Sequence, residues 1–443
     1  MRIAIVGAGV SGLVAAHLLA HEHEVVLYEA GSYAGGHTNT IRVDTAHETH
    51  HVDTGFIVMN DRNYPNFTRL LSQLGVATQP TNMSFSVKGE DEDFEYAGTP
   101  RGLICQPRNL LSPRFQRMIA DLLRFNRELR RLLAREETTG ESAPHSSRRD
   151  GSLRDRSSRD LSHQGESLQD FLVRRRFSEV FIRRLIVPQV SAVWSADPRQ
   201  ISSFPVRFLA EFFSNHGMLG FRDRPRWATV AGGSARYVDA LTRRFGDRIR
   251  LDSPVHSITR SEDHVEIAAA GQGGRDTEHF DQVMIATHSD QALAMLRDPS
   301  AREREVLGAI PYQHNEAVLH TDSTLLPRRR GARAAWNFHL LREPKPQSTV
   351  TYYMNHLQRL AAEDDFCVTL NRTEAIDPAK IIRTIGYAHP MYTPGGVAAQ
   401  GEHSTISGLG GRTHYCGAYW GWGFHEDGVV SALRACEPFG VSL

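Results

Sequence analysis

Gly7-Ala8-Gly9-Val10-Ser11-Gly12 and Glu29 are the residues whose spacing points most directly to chemistry. Glycines at these three positions allow a sharp turn, a bare backbone approach to a pyrophosphate and close seating of a helix on a strand. The helix that opens here offers its free N–H groups and positive dipole to phosphates. Glu29 follows Gly9 by 20 residues and is placed to accept hydrogen bonds from ribose hydroxyls. Its charge repels a 2′-phosphate, which disfavours NADP. Neither Gly408-Leu409-Gly410 nor Gly421-Trp422-Gly423 is followed by the third glycine of such a motif, so no second dinucleotide site is expected.

These residues need a βαβ unit to hold them. Arg2 to Val6 is a short apolar run, Ser11 to about Ala20 reads as a helix, and Glu24 to Tyr28 reads as a second strand. With 443 residues the chain exceeds the size of one core, and 40% hydrophobic with 23% charged residues is an ordinary globular composition. Lys plus Arg equals Asp plus Glu at 51 each, so no overall field draws a nucleic acid. Cys105, Cys367, Cys416 and Cys436 lack the spacing of a zinc site or a disulfide framework, so no metal is expected and a reducing cytoplasm is the simpler reading. No leader pattern and no run of 18 apolar residues occurs. From Thr138 to Glu166 the chain is Ser, Arg, Asp and Gly with hardly an apolar residue, which reads as a disordered loop. Before it, 113–136 places Phe115, Met118, Leu122, Phe125 and Leu129 at helical spacing opposite arginines. This stripe is read first as a core-covering face and second as a membrane-surface face.

Further blocks distinguish FAD from NAD: Ala34-Gly35-Gly36-His37, Asp53-Thr54-Gly55-Phe56, Cys416-Gly417-Ala418 and Glu426-Asp427-Gly428. In this order they resemble the amine oxidase and phytoene desaturase group of flavoproteins. The resemblance implies an α/β fold, with a Rossmann-type FAD-binding domain and an inserted α+β substrate domain. The FAD-binding domain is expected from 1–75, 225–295 and 395–443, and the substrate domain from 76–224 and 296–394. It further implies that Gly35, Gly36, His37 and Thr38 pass the pyrophosphate and that Val255 meets adenine. Ala286 and Thr287 return the chain to the nucleotide, and Gly417, Ala418, Asp427, Gly428 and Val429 hold the ribityl chain and flavin. Gly7, Gly9, Val10, Ser11, Gly12, Glu29, Ala30, Gly55, Phe56 and Ile57 complete the expected FAD-contacting set.

GGHTNT at 35–40, DTGFIVMNDRNYPNF at 53–67, VSAVWSADP at 190–198, RPRWATVAGGS at 224–234 and CGAYWGWGFHEDG at 416–428 carry a closer resemblance. They look like the flavin-dependent N-terminal region of plant cyclopropane fatty acid synthases and its stand-alone bacterial relatives. That region sits beside, or is fused to, a methyltransferase acting on phospholipid acyl chains. The resemblance implies FAD-dependent oxidoreduction of a lipid-linked, unsaturated or methylated fatty acyl chain. It also implies a separate methyltransferase as partner, and a cytoplasmic protein that touches the inner face of the membrane peripherally. The alternatives are a flavin amine oxidase and a non-catalytic, flavin-bound accessory subunit of a lipid methyltransferase.

A flavin exchanges hydride at N5, so the chain must place the substrate, exclude water and handle a proton. The segment from Tyr419 to Glu426 is expected to pass the flavin ring, with His425 as acid/base and Tyr419, Trp420 and Trp422 as a wall; His389 is a weaker acid/base candidate. Trp194, Phe204, Phe208, Phe212, Phe213 and Trp336 are expected to line an apolar pocket. Amine oxidases often place a lysine on the strand corresponding to Asn315–His320, and none is present there. The loop that carries a covalent flavin cysteine in some relatives reads GYAHPMY, so FAD is expected to be non-covalent.

Overall fold

The computed structural model describes every residue except 91–92, 138–165, 196, 200, 221–223 and 272–273; the loop expected at 138–166 lies almost wholly outside the described residues. The chain is of the mixed α/β class and divides into two units.

The first unit comprises Met1–Met83, Arg226–Leu325 and Tyr352–Leu443. Its centre is a parallel sheet in the order Ile249–Arg250, β2 (Glu24–Tyr28), β1 (Arg2–Val6), Gln282–Ile285 and Thr413–Tyr415. The apolar run of β1 is continuous because both faces are covered. Ile3 and Ile5 point to the side holding α1 (Val10–Leu19) and the last helix, His425–Cys436. Ala4 and Val6 point to the other side, against an antiparallel sheet of Val255–Arg260, Val265–Gly271 and Gly274–Phe280. A hairpin of β3 (Thr40–Asp44) and β4 (Thr49–Asp53) and the helix α2 (Pro65–Gln73) follow β2. In the same unit the strand Tyr312–His320 lies between Cys367–Leu370 and Ile381–Pro390. Residues 296–325 and 352–394, expected in the substrate domain, therefore group with the nucleotide-binding strands. Tyr312 Oη accepts from Ser289 N at 2.9 Å, and Tyr387 Oη meets Thr54 Oγ1 at 2.9 Å, which ties them there.

The second unit comprises Ser84–Pro225 and Leu326–Thr351. Phe85–Gly89 pairs with Trp336–Leu340 and Glu95–Ala97. The helix Pro113–Glu137 turns its apolar stripe inward: Phe115, Met118, Phe125 and Leu129 are buried, and Phe125 meets Phe171, Phe177 and Phe181. Its first-choice reading, a core-covering face, is the arrangement found. Asp121 on the same helix accepts from Ser178 N and Oγ and pairs with Arg117 and Arg124. Trp194, Phe204, Phe212 and Phe213, expected as a pocket wall, are buried side chains of this unit, with Trp194 4.6 Å from the Phe212 ring. Among the described residues no helix is long and apolar enough to cross a membrane.

Candidate functional site

The loop between β1 and α1 has the geometry its glycines require. A Cβ on Gly12 would lie 1.9 Å from Gly7 O, so only glycine lets α1 sit this close to the turn. A Cβ on Gly9 would meet nothing within 4 Å, which leaves this face of the helix start open. Glu29 Oε2 accepts from Ala8 N and Oε1 accepts from Gly31 N, both at 2.8 Å. The carboxylate is thus braced at the end of β2 with lone pairs to spare. Ser253 N donates to Glu29 O at 2.8 Å, which brings half-buried Val255 to this end of the cleft; Ala30 is exposed beside it.

Gly35 has φ +134°, and a Cβ there would lie 2.3 Å from Thr38 O, so this turn too demands glycine. It brings Gly36 over Gly9 and sets His37 facing the segment after Gln282–Ile285, where Ala286, Thr287 and His288 are half-buried. Gly55 lies against the His37 carbonyl, and Phe56 N donates to it at 2.7 Å. Ile57 is buried, its carbonyl accepting from Thr229 Oγ1. The last helix starts against α1: Gly428 leaves no room for a Cβ beside Val10, and Ser11 Oγ donates to Gly428 O at 3.0 Å. Val429 is in the core, Gly417 N donates to Ser431 Oγ, and Ala418 and Asp427 are half-buried. Asp427 accepts from Phe424 N at 2.9 Å, and burial pushes its carboxyl up to about 7.

Beyond this end stands a cluster of imidazoles and phenols. The His37 ring stacks on Tyr387 at 4.8 Å and meets the edge of His389 at 5.1 Å; His288 stacks on Tyr312 at 4.4 Å. Burial depresses His37 and His288 to about 4 and His389 to about 3, with neighbouring imidazoles adding to the effect, so all three are neutral near pH 7. Asn315 Oδ1 accepts from Asn371 Nδ2 at 2.8 Å, so its Nδ2 donates to His389 Nδ1 at 2.9 Å. That network assigns the hydrogen of His389 to Nε2. His37 Nε2 is buried and has no partner among the described residues.

Three expected catalytic side chains are placed differently. His425 Nε2 meets Thr38 Oγ1 at 2.9 Å and Tyr237 Oη at 3.0 Å, its ring stacks on Phe56 at 3.6 Å, and burial holds it neutral. A ring nitrogen already shared by two hydroxyls supports position more readily than proton exchange. Tyr419 and Trp420 are buried in the core with Tyr415 and Ile285, leaving half-buried Trp422 as the tryptophan nearer the surface of that segment. Sequence reasoning overlooked Asp53, whose Oδ1 accepts from Thr40 Oγ1, Ser234 N and Ser234 Oγ while Oδ2 accepts from Gln358 Nε2. It also overlooked His288, Tyr312, Asn315 and Tyr387. His288 directly follows Ala286-Thr287, and Tyr387 lies inside GYAHPMY, so both were within reach of the motifs.

The cleft fits a flavin dinucleotide: a bare glycine faces its phosphate end, a braced carboxylate its ribose end, and an orphaned imidazole nitrogen stands beyond them. A family model for flavin containing amine oxidoreductases matches residues 10–325. The flavin-containing amine oxidase A of Canis lupus familiaris is 24% identical over 273 residues, 60% of this chain and 46% of that protein. The chain thus aligns with about half the length of that curated relative. Cyclohexylamine oxidase from Brevibacterium oxydans IH-35A superposes with a TM-score of 0.64 at 17% identity, over 98% of both chains. The CLA-producing fatty acid isomerase of P. acnes superposes with a TM-score of 0.67 at 15% identity, over 99% of this chain and 98% of the other. At these identities the structural likenesses speak for the fold alone.

Proposed function

The chain belongs to the flavin-containing amine oxidoreductase family, and from that premise we propose that, with FAD bound, it oxidises or reduces a lipid-linked, unsaturated or methylated fatty acyl chain. The observation that carries this reading is the strand Tyr312–His320. On the strand where amine oxidases often hold a lysine near the flavin there is none; Asn315 of that strand donates to His389, and the surrounding His37, His288, Tyr312 and Tyr387 are neutral near pH 7. None of these side chains is a carboxylate that would pair with an ammonium group. The family's fold hosts amine oxidation in one neighbour and fatty acid isomerisation in another, so residues rather than architecture choose between them. The likeness of the 416–428 block to the flavin region of cyclopropane fatty acid synthases points the same way.

FAD would be held by the loop 7–12, Glu29, the 35–38 turn and the start of the last helix, and it supplies hydride acceptance or donation. The chain supplies the rest. His37, neutral and with a free Nε2, takes up a proton or passes one on; His389 orients it edge-on, and His425 fixes the 35–38 turn through Thr38. An acyl substrate also requires access to a bilayer. In the second unit, Ile104, Leu110 and Leu111 are 58%, 42% and 82% exposed, with exposed Arg101 and Arg114 nearby in the chain and Arg108 paired with Asp93. Apolar side chains framed by arginine suit peripheral contact with an anionic membrane.

Anaerobic mixing of the FAD-loaded protein with phospholipids bearing unsaturated or methylated chains tests the reading. The flavin spectrum should change, from the oxidised form for a desaturase or from the reduced form for a reductase, while primary amines and polyamines leave it unaltered. Bleaching by an amine with no response to lipid would replace this reading with amine oxidation. No response to either, together with binding of a lipid methyltransferase, would leave a non-catalytic accessory role.

A further inference from the structure

The structure carries a second constellation of ligating side chains away from the cleft. Val265, Ile267 and Ala269 on the strand Val265–Gly271 point into the core, so the alternate residues point outward. Glu266 is one of these, and its direct cross-strand partner on Gly274–Phe280 is His279. His264 precedes Glu266 by two residues and therefore shares its face. One ligand atom from each of His264, Glu266 and His279 lies within 4.8 Å of the other two. Glu266 Oε1 and His279 Nε2 are 3.3 Å apart, and the two imidazoles stack at 4.4 Å. Asp263 Oδ1 stands 2.7 Å from His264 Nδ1 and adds negative charge beside that ring.

We propose that His264, Glu266 and His279 form a binding site for a first-row divalent transition-metal ion of the zinc–copper class. Metal–ligand bonds of about 2.0–2.1 Å place tetrahedral ligand atoms roughly 3.3 Å apart, the separation already present between Glu266 and His279. The third ligand needs only a side-chain rotation of a partly exposed histidine. Two imidazole nitrogens and one carboxylate oxygen suit zinc, nickel and copper, with copper the tightest. Calcium and magnesium seek six or more oxygens and are disfavoured. All three side chains are open to solvent, so water completes the coordination. Their backbone is preorganised: the strand carrying Glu266 is the middle one of three, paired on both sides. A bound ion would join residues from two strands and pin the hairpin whose sheet begins at Val255, beside the Glu29 end of the cleft.

The test uses untagged, FAD-loaded protein stripped with chelator. Titration calorimetry with Zn²⁺ and electron paramagnetic resonance with Cu²⁺ should each show one equivalent bound, the copper spectrum carrying nitrogen hyperfine structure. His279→Ala should weaken binding at least tenfold and Glu266→Gln should weaken it severalfold, with the flavin absorbance unchanged as proof of an intact fold. Equal binding by wild type and both variants would move the metal to other histidines and overturn the proposal. The absence of saturable binding by the wild type at sub-millimolar metal would overturn it as well.

Discussion

Glu29 accepts from two backbone donors, Ala8 N and Gly31 N, so its removal does more than delete the ribose contact proposed for it. Glu29→Ala leaves two partly buried N–H groups without their partner and should weaken FAD binding by about 1–3 kcal/mol, a factor of roughly 5 to 150. Flavin fluorescence titration measures this, and an unchanged affinity would remove Glu29 from the ribose site. The place of Glu29 at the end of β2 was legible because it follows from one spacing within one βαβ unit. Asp53 was not, although it lies in a quoted block. Its partners Thr40, Ser234 and Gln358 are scattered along the chain, and only folding joins them around a carboxyl that burial raises to about 6. His425 was expected as an acid/base because its segment was expected to pass the flavin ring; its contacts with Phe56, Thr38 and Tyr237 come from segments distant in sequence and could not be read from that block.

Among elements, the short helices Pro100–Ile104 and Pro107–Leu111 are the ones whose exposed residues depart most from the rule that large apolar side chains are covered. The double variant Leu110→Ser, Leu111→Asp should abolish co-sedimentation with vesicles containing anionic phospholipid while leaving flavin content and melting temperature within error. Wild type should sediment with anionic vesicles and much less with zwitterionic ones; equal sedimentation of wild type and variant would free this surface from the membrane role. The periodicity of 113–136 correctly announced a helix and an apolar stripe, yet periodicity alone cannot say what covers that stripe. Here it is Phe171, Phe177 and Phe181, contributed by segments beyond the 138–166 loop. The opening βαβ unit was readable because its contacts are local. The grouping of Tyr312–His320 and Ile381–Pro390 with the first unit was not, because it depends on pairings such as Asn315 with Tyr387, 72 residues apart.

For the whole molecule, buried titratable groups set the response to pH. Burial holds His37, His216, His288, His320, His403 and His414 near 4 and His389 near 3, against 6.5 for a free imidazole. Between these values the unfolded chain binds more protons than the folded one, so the stability these groups allow is complete above 6.5 and is lost as pH falls toward 4. Asp53 and Asp427, raised to about 6 and about 7, act in the opposite sense: they stabilise at low pH and lose that contribution as pH rises through those values. Seven imidazoles outweigh two carboxyls, so the melting temperature of the FAD-loaded protein should drop steeply from pH 6.5 to pH 5. A constant or rising value across that interval would contradict the assignment. The parallel sheet carries a different consequence, set by time rather than by energy. Its strand Gln282–Ile285 must wait for Thr413–Tyr415, and α1 must wait for the helix His425–Cys436. At ordinary rates of translation of about 5–20 residues per second, roughly 6–26 s separate the emergence of those two paired strands. Through that interval the nascent chain exposes an unpaired strand edge and an open phosphate loop. The cofactor is therefore captured late in synthesis, and a chaperone that shields the edge of Gln282–Ile285 would raise the yield of flavinated protein.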